Sequence, residues 1–227
     1  MWLLAIETAT DAAGVALLRA GEAVAARRLP PGQGAETLLP AVLELLADHG
    51  VGLAALDAFA VSIGPGSFTG LRVGVATVKG LAFGAGSRVA AVPTLAALAA
   101  TRADVPARVA AVLDARRGEV YAAAHDGDPL HPPVWGPLVL RPEALAERLA
   151  PGWTVVGDGV PVVEPAVRDR LGAEVALVGP PQGIADAVAV GRLGARLLEA
   201  GRGVCAADLV PSYGRRAEAE ERRLRGA

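Results

Sequence analysis

Residues 62–84, SIGPGSFTGLRVGVATVKGLAFG, combine the end of a strand, a glycine loop and a helix that Ser67 or Thr69 could cap. One apolar stripe of this helix is formed at i, i+4, i+7 spacing by Leu71, Val75, Val78 and Ala82. A second stripe consists of Gly70, Gly74, Thr77 and Leu81. A helix this apolar on every side is normally buried. It is therefore either an interior helix or one that packs on its own sheet and on a partner chain.

Glycine is unfavourable inside a helix by roughly 1 kcal/mol relative to alanine. Four glycines in one helix therefore need a compensating gain, and close approach of another backbone is the gain we expect. The charged residues Arg72 and Lys79 share a third stripe with Ala76 and Phe83.

The composition is that of a compact globular protein. The 227 residues are 52% hydrophobic and 20% charged, and the formal net charge of −2 gives no basic surplus for broad nucleic-acid binding. The single cysteine, Cys205, rules out an intramolecular disulfide and favours a reduced, cytoplasmic location. We expect neither a signal peptide nor a membrane span.

Apolar runs and turn residues predict the element order β-β-β-α-β-α-β-α in the first half, beginning with an antiparallel meander. The first helix is predicted to run from Glu36 to His49, with Leu39, Val42, Leu43 and Leu46 on one apolar face. The second half repeats this order in outline. We predict an α/β protein with domains at 1–103 and 104–211 and a C-terminal tail or helix at 212–227.

Residues that could carry chemistry do not assemble into a complete catalytic set, so no catalytic residue is predicted. His49, His125 and His131 lack metal-ligand spacing, and no metal site is expected. Glycine loops at helix N-termini can hold anions, and an acid with two hydroxyls after a first strand could face a metal–phosphate. The same residue types are also ordinary turn formers. The candidates for such anion or nucleotide loops are Glu7, Thr8, Thr10, Gly64, Gly66 and Ser67.

The sequence GPGSFTGLR at 64–72, followed by ATVKGLA at 76–82, resembles the TsaB (YeaZ) family. Further similar stretches are ETLLP at 36–40, VLDARRGEVY at 112–121, VGDG at 156–159 and PSY at 211–213. The resemblance covers roughly residues 2–215. It implies an actin-like fold of the sugar kinase/Hsp70 type, with two related ribonuclease-H-like domains.

The resemblance also implies a function. It predicts a non-catalytic scaffold and activator, not itself an enzyme, for threonylcarbamoylation of the adenosine next to the anticodon in tRNAs that read codons starting with A. TsaD carries a metal-binding histidine pair on its first helix, whereas the corresponding helix here opens with Gly34, Ala35 and Glu36. An ATP-dependent small-molecule kinase or carbamoyltransferase of the same fold is the alternative.

The partners implied are TsaD in a heterodimer, TsaE, tRNA through the complex, and a second copy of the chain when it is alone. ATP and metal are implied only in the partner subunits. The family resemblance places the interface on the first two helices, and a bulky change such as Gly74→Trp is expected to abolish TsaD binding without unfolding the chain. The predicted interface residues are Leu38, Leu39, Val42, Leu45, Gly70, Leu71, Gly74, Val75 and Val78.

Overall fold

The computed structural model describes residues 1–30, 32, 34–102 and 108–214, whose strands form two five-stranded sheets. The first sheet has the order β3-β2-β1-β4-β5 and the second β10-β9-β6-β7-β8. The strands are β1 (Trp2–Glu7), β2 (Gly14–Arg19), β3 (Glu22–Arg28), β4 (Ala58–Gly64), β5 (Arg88–Pro93), β6 (Val109–Asp114), β7 (Val120–His125), β8 (Trp135–Leu140), β9 (Thr154–Val156) and β10 (Ala176–Val178).

The two sheets have the same topology. In the first, β1, β2 and β3 form an antiparallel meander, and β4 and β5 extend the other edge in parallel. In the second, β6, β7 and β8 form the meander, and β9 and β10 the parallel extension. The predicted repetition of element order is therefore confirmed as a repetition of sheet topology.

Helices cover both faces of each sheet. They are α1 (Gly34–Asp48), α2 (Phe68–Ala85), α3 (Thr94–Ala100), α4 (Pro142–Ala146), α5 (Val160–Leu171) and α6 (Ala187–Glu199). Helices α1 and α2 pack on the outer face of the first sheet, and α4 and α5 on the outer face of the second. Helix α6 packs on the inner face of the first sheet, whereas α3 contacts both sheets. The protein thus consists of two lobes, one around each sheet, that share an apolar layer.

Strand β1 supplies both cores of the first lobe because its side chains alternate between the two faces. Leu3 and Ala5 face the inner layer, whereas Leu4 and Ile6 face α1 and α2. The closing residue Glu7 continues the inward alternation and is fully buried. The fold therefore places an ionisable side chain at the end of a buried strand, between the lobes.

The predicted domain boundaries stay a prediction. Helix α6, which falls in the second predicted domain, contacts all five strands of the first sheet. Ser67 caps α2 by accepting a hydrogen bond from the backbone N–H of Gly70, as predicted. Thr94 is the first residue of α3, and Pro93 occupies its cap position. Of the C-terminal tail or helix predicted at 212–227, residues 215–227 lie outside the described residues.

The predicted apolar face of α1 is partly wrong. Leu38, Val42, Leu45 and Leu46 are buried, whereas Leu39 and Leu43 are exposed. Residues 39 and 43 share the helix surface with Glu36 and Glu44, and these acids indicate the outer side. Within the described part of the chain, no helix is both long enough and apolar enough to span a membrane.

Candidate functional site

Two neighbouring regions contain the predicted site residues: the loops after β1 and β4, and the helix α2. The loops are bonded to each other. Ser67 N–H donates to the Ala9 carbonyl oxygen (2.7 Å), and Gly64 N–H donates to Thr94 Oγ1 (3.1 Å). The Ser67 hydroxyl accepts from Gly70 N–H (3.2 Å). These donors of the glycine loop are therefore already used within the chain, which leaves less of the loop for an anion than the sequence indicated.

Glu7 is the most unusual ionisable group of this region. Its Oε1 accepts hydrogen bonds from the backbone N–H (2.8 Å) and hydroxyl (3.1 Å) of Thr10. Its Oε2 and the Thr8 hydroxyl are buried without a hydrogen-bond partner among the described residues. Burial raises the pKa of Glu7 to about 7, even though the nearby Ser62 hydroxyl and the hydrogen bonds from Thr10 act in the opposite direction. This carboxyl can therefore bind or release a proton near neutral pH.

A second group of carboxylates lies on the other lobe and faces this loop. Asp158 Oδ1 accepts a hydrogen bond from the backbone N–H of Asp114 (2.9 Å), and Asp114 Oδ1 accepts from that of Arg116 (2.7 Å). Burial raises the pKa of Asp158, and the carboxylates of Asp114 and Asp11 raise it further. Because Asp11 belongs to the first lobe, the two acidic loops are close enough to interact electrostatically.

Two of the histidines, for which the sequence predicted no metal site, have the following surroundings. His49 Nδ1 lies 2.9 Å from the carbonyl oxygen of Leu45, near the end of α1. His125 is buried, and this burial lowers its pKa. Among the residues with described positions, no three His, Cys, Asp or Glu side chains are grouped so that they could hold a metal ion.

The first two glycines of α2 are needed because the loop after β1 lies directly on the helix. A Cβ at Gly70 would overlap the carbonyl oxygen of Thr8, and one at Gly74 would overlap the Thr8 hydroxyl. The close backbone approach expected from the sequence is therefore made by the chain itself. The structure therefore argues against the expectation that Gly74→Trp leaves the fold intact, because even a Cβ at position 74 would lie 2.2 Å from the Thr8 hydroxyl oxygen.

The last two glycines of α2 have no such neighbour. A Cβ at Gly80 or Gly84 would meet no atom within 4 Å in the described ranges of the chain. Both lie on an exposed face with Ala76 and Phe83, and Phe83 is 81% exposed. The neighbouring helix α1 exposes two further large apolar side chains, Leu39 (46%) and Leu43 (47%). We call these six residues the open face: Leu39, Leu43, Ala76, Gly80, Phe83 and Gly84.

The predicted interface residues divide between the core and this surface. Leu39 alone of the nine belongs to the open face, and Gly70 and Gly74 are taken up by the Thr8 contact. The other six are buried in the chain's own core and have no surface to offer a partner: Leu38, Val42, Leu45, Leu71, Val75 and Val78. Sequence analysis missed Leu43, Gly80, Phe83 and Gly84 as surface residues. The sequence did contain one signal for an exposed side of α2: Ala76 and Phe83 share a stripe with the charged residues Arg72 and Lys79.

The architecture defines the class of protein. A solved structure of the activator of the 2-hydroxyisocaproyl-CoA dehydratase from Clostridium difficile matches with a TM-score of 0.53 at 8% identity, covering 89% of this chain and 97% of that one. YeaZ from Pseudomonas aeruginosa matches with a TM-score of 0.78 at 35% identity, covering 93% and 99%. The protein has the actin-like α/β fold, as predicted.

The sequence comparisons identify the family. The model of the TsaD family, tRNA N6-adenosine threonylcarbamoyltransferase, matches residues 33–129. The tRNA threonylcarbamoyladenosine biosynthesis protein TsaB of Escherichia coli K12 is 40% identical over 168 residues, which are 70% of this chain and 72% of that protein. TsaB of Haemophilus influenzae is 43% identical over 121 residues, 52% and 51% of the two chains. The chain belongs to the TsaB family of tRNA threonylcarbamoyladenosine biosynthesis proteins, which confirms the resemblance.

Proposed function

We propose that this chain is a non-catalytic subunit that binds TsaD through the open face and is required for threonylcarbamoylation of the adenosine next to the anticodon. The TsaB family supplies the pathway. The similarity of residues 33–129 to the TsaD family supports a dimer of this chain with TsaD, because related chains often assemble through equivalent surfaces.

The observation that carries the proposal is the placement of Gly80 and Gly84. Each is unfavourable in a helix by about 1 kcal/mol relative to alanine. No residue that the structure describes requires either glycine, because a Cβ at each position would be free of contacts with them. Small residues on an exposed helix allow the backbone of another helix to approach closely. A partner helix lying along Ala76, Gly80 and Gly84, with Phe83 at its side, would explain why positions 80 and 84 are glycine.

The open face also has the composition of an interface core. Large apolar side chains next to small ones, with few charges, distinguish buried interface centres from ordinary surface. Leu39, Leu43 and Phe83 are the large side chains here. We further propose that a second copy of the chain covers this face when TsaD is absent, that TsaE and tRNA join through the complex, and that ATP and metal are bound by partner subunits.

The test is a charge placed on the open face. Phe83→Glu should weaken TsaD binding by roughly 100-fold, because an unpaired carboxylate would become buried on association. The unfolding midpoint of the isolated chain should not change, since Phe83 is 81% exposed. Titration calorimetry with TsaD and reconstituted formation of threonylcarbamoyladenosine are the two measurements.

The matched control is Val134→Glu, which changes an apolar side chain that is 62% exposed on the other lobe. It should leave both binding and modification as they are in the native chain. Full modification in a reaction that lacks this chain would contradict the requirement for it. Equal TsaD affinity of Phe83→Glu and Val134→Glu would contradict the assigned surface.

The alternative function is that of an ATP-dependent enzyme. One fold relative is described with bound ADPNP, and the carboxylates of Asp114 and Asp158 face the loop after β1 in this chain. The bonds that already use the amides of Gly64 and Ser67 argue against a phosphate-binding loop. Calorimetry of the isolated chain with Mg-ATP separates the two functions. Tight binding with turnover would favour the enzyme.

A further inference from the structure

The end of the chain returns to the first lobe and lies along α2. We call residues 204–214 the strap. It begins as a two-hydrogen-bond bridge to β5, in which Val204 and Val89 exchange N–H···O bonds of 2.9 and 3.0 Å. Ala206 and Leu209 are buried in the core beneath α1 and α2. The strap is therefore an integral part of the first lobe, although it is distant from that lobe in sequence.

The two charged side chains of α2 both hold the strap. Lys79 Nζ donates to the carbonyl oxygens of Ala207 (3.1 Å) and Leu209 (3.0 Å). Arg72 Nε donates to the Tyr213 hydroxyl (3.2 Å), and its guanidinium lies 4.0 Å from the centroid of the Phe68 ring. The Tyr213 ring packs against Phe68 with centroids 4.7 Å apart. Both cations of the helix are thus engaged on one flank.

This flank borders the open face. Ala76 and Phe83 each follow a strap-holding residue by four positions and so lie beside Arg72 and Lys79 on the helix surface. The half of α2 that carries Phe83 also contains Gly80 and Gly84, which weaken the helix locally. On the sheet side of this half, Val78 and Ala82 are buried in the core of the first lobe. The strap supplies the lateral support on the side of Lys79.

We infer that the strap is a positioning element of the TsaD-binding surface: its attachment through Lys79 keeps the second half of α2 helical and Phe83 presented to the partner. The inference rests on the proposed function. It makes Lys79 a positioning residue, since its ammonium contacts the strap and not the open face. A compact ammonium with three donors suits two converging carbonyl oxygens.

The test is Lys79→Met, which keeps an unbranched side chain of similar length and removes the ammonium. Hydrogen exchange at amides of 79–86 and 204–214 should become roughly tenfold faster, because bonds from a charged group to the two carbonyls are lost. The affinity for TsaD should fall by a similar factor, roughly tenfold, because the docking-competent helix is then only a fraction of the population. Exchange in β6 and β7 of the other lobe should stay at the native rate.

The control is Arg192→Met, which removes an exposed cation of α6 that is ion-paired with Glu22 (3.3 Å). It should change neither the exchange of α2 nor the affinity. A purely structural role of Lys79 would speed exchange throughout the chain rather than in these two segments. That result would overturn the inference, and so would unchanged exchange in Lys79→Met.

The remaining outcomes separate this inference from the proposed function. Faster local exchange with native TsaD affinity would overturn the role of the strap and leave the proposed function in place. A native chain that does not bind TsaD would overturn both. Tyr213→Ala gives a second variant, because it releases the other end of the strap from Phe68 and Arg72 without touching Lys79.

Discussion

The two halves of α2 use the same residue type for opposite reasons. Gly70 and Gly74 in the first half lie against Thr8, where a Cβ has no room. Gly80 and Gly84 in the second half face open space, where a Cβ would meet nothing. The first pair therefore serves the fold of this chain. Among the described residues, the second pair has no contact that requires glycine, and we propose that it serves association.

This difference explains why the helix is apolar on every side. One side packs on the sheet, the Thr8 side is closed by a loop, and the flank of Lys79 is covered by the strap. Among the described residues, the open face is the side of the helix that stays uncovered. The helix is therefore interior over most of its circumference, and its packing on a partner chain stays a prediction for the rest.

The largest expected effect comes from replacing one glycine by leucine in each half of α2. Gly70→Leu should destabilise the chain by at least about 4 kcal/mol, because the side chain would displace the Thr8 carbonyl and the loop bonded to Glu7. Gly80→Leu should change the free energy of unfolding by less than about 1 kcal/mol, because its site is open. Urea denaturation followed by circular dichroism measures both. Similar losses in the two variants would contradict the division of the helix.

The next effect concerns Glu7, which holds the loop that closes the first half. Between pH 4.5 and 7 the folded chain keeps a proton on Glu7 that the unfolded chain has released. The contribution of Glu7 to the free energy of unfolding should therefore be greatest below pH 4.5. It should fall as the pH rises from 4.5 to 7 and level off above pH 7. The total loss in the free energy of unfolding is about 3 kcal/mol, because each unit by which the pKa of Glu7 is raised corresponds to about 1.36 kcal/mol.

The variant Glu7→Gln isolates this contribution, because the amide resembles the protonated carboxyl and does not titrate. The free energy of unfolding, measured from pH 4.5 to 8, should lose the downward slope that the native chain shows. Glu143→Gln, which neutralises an exposed carboxylate on α4, should retain the slope. A native profile that rises between pH 4.5 and 7, and that Glu7→Gln does not alter, would show that Glu7 is ionised in the folded chain.

The sequence predicted the fold well because the strands are short apolar runs separated by turn residues. It also predicted the actin-like class and the family through residues 64–72. It could not divide the faces of α1 and α2, since Leu38 and Leu39 are chemically equivalent and only packing decides which is buried. Glu36 and Glu44 marked the outer side of α1, but this signal is weaker than the strong apolar periodicity around it.

The contacts that join distant segments were also beyond sequence reasoning. Lys79 and Leu209 are 130 positions apart, and no local pattern indicates that an ammonium will meet that carbonyl. The loop after β1 was read as a possible anion site because its residue types suit one. The structure shows Ala9 bonded to Ser67 and Thr8 packed on Gly70, contacts that use the same residues to join two loops.

The smallest expected effect is the most specific to the second half of α2. Gly80→Ala and Gly84→Ala should each stabilise the isolated chain by about 1 kcal/mol, because alanine restricts the unfolded backbone and favours the helix. The double variant should nevertheless bind TsaD more weakly than the native chain, since two methyl groups would keep a partner helix at a distance. Thermal unfolding of the isolated chain and titration with TsaD measure the two opposing changes. A double variant that is more stable than the native chain and binds TsaD equally well would mean that the partner does not approach at these glycines. The TsaD-binding surface would then have to be assigned to Leu39, Leu43 and Phe83 alone.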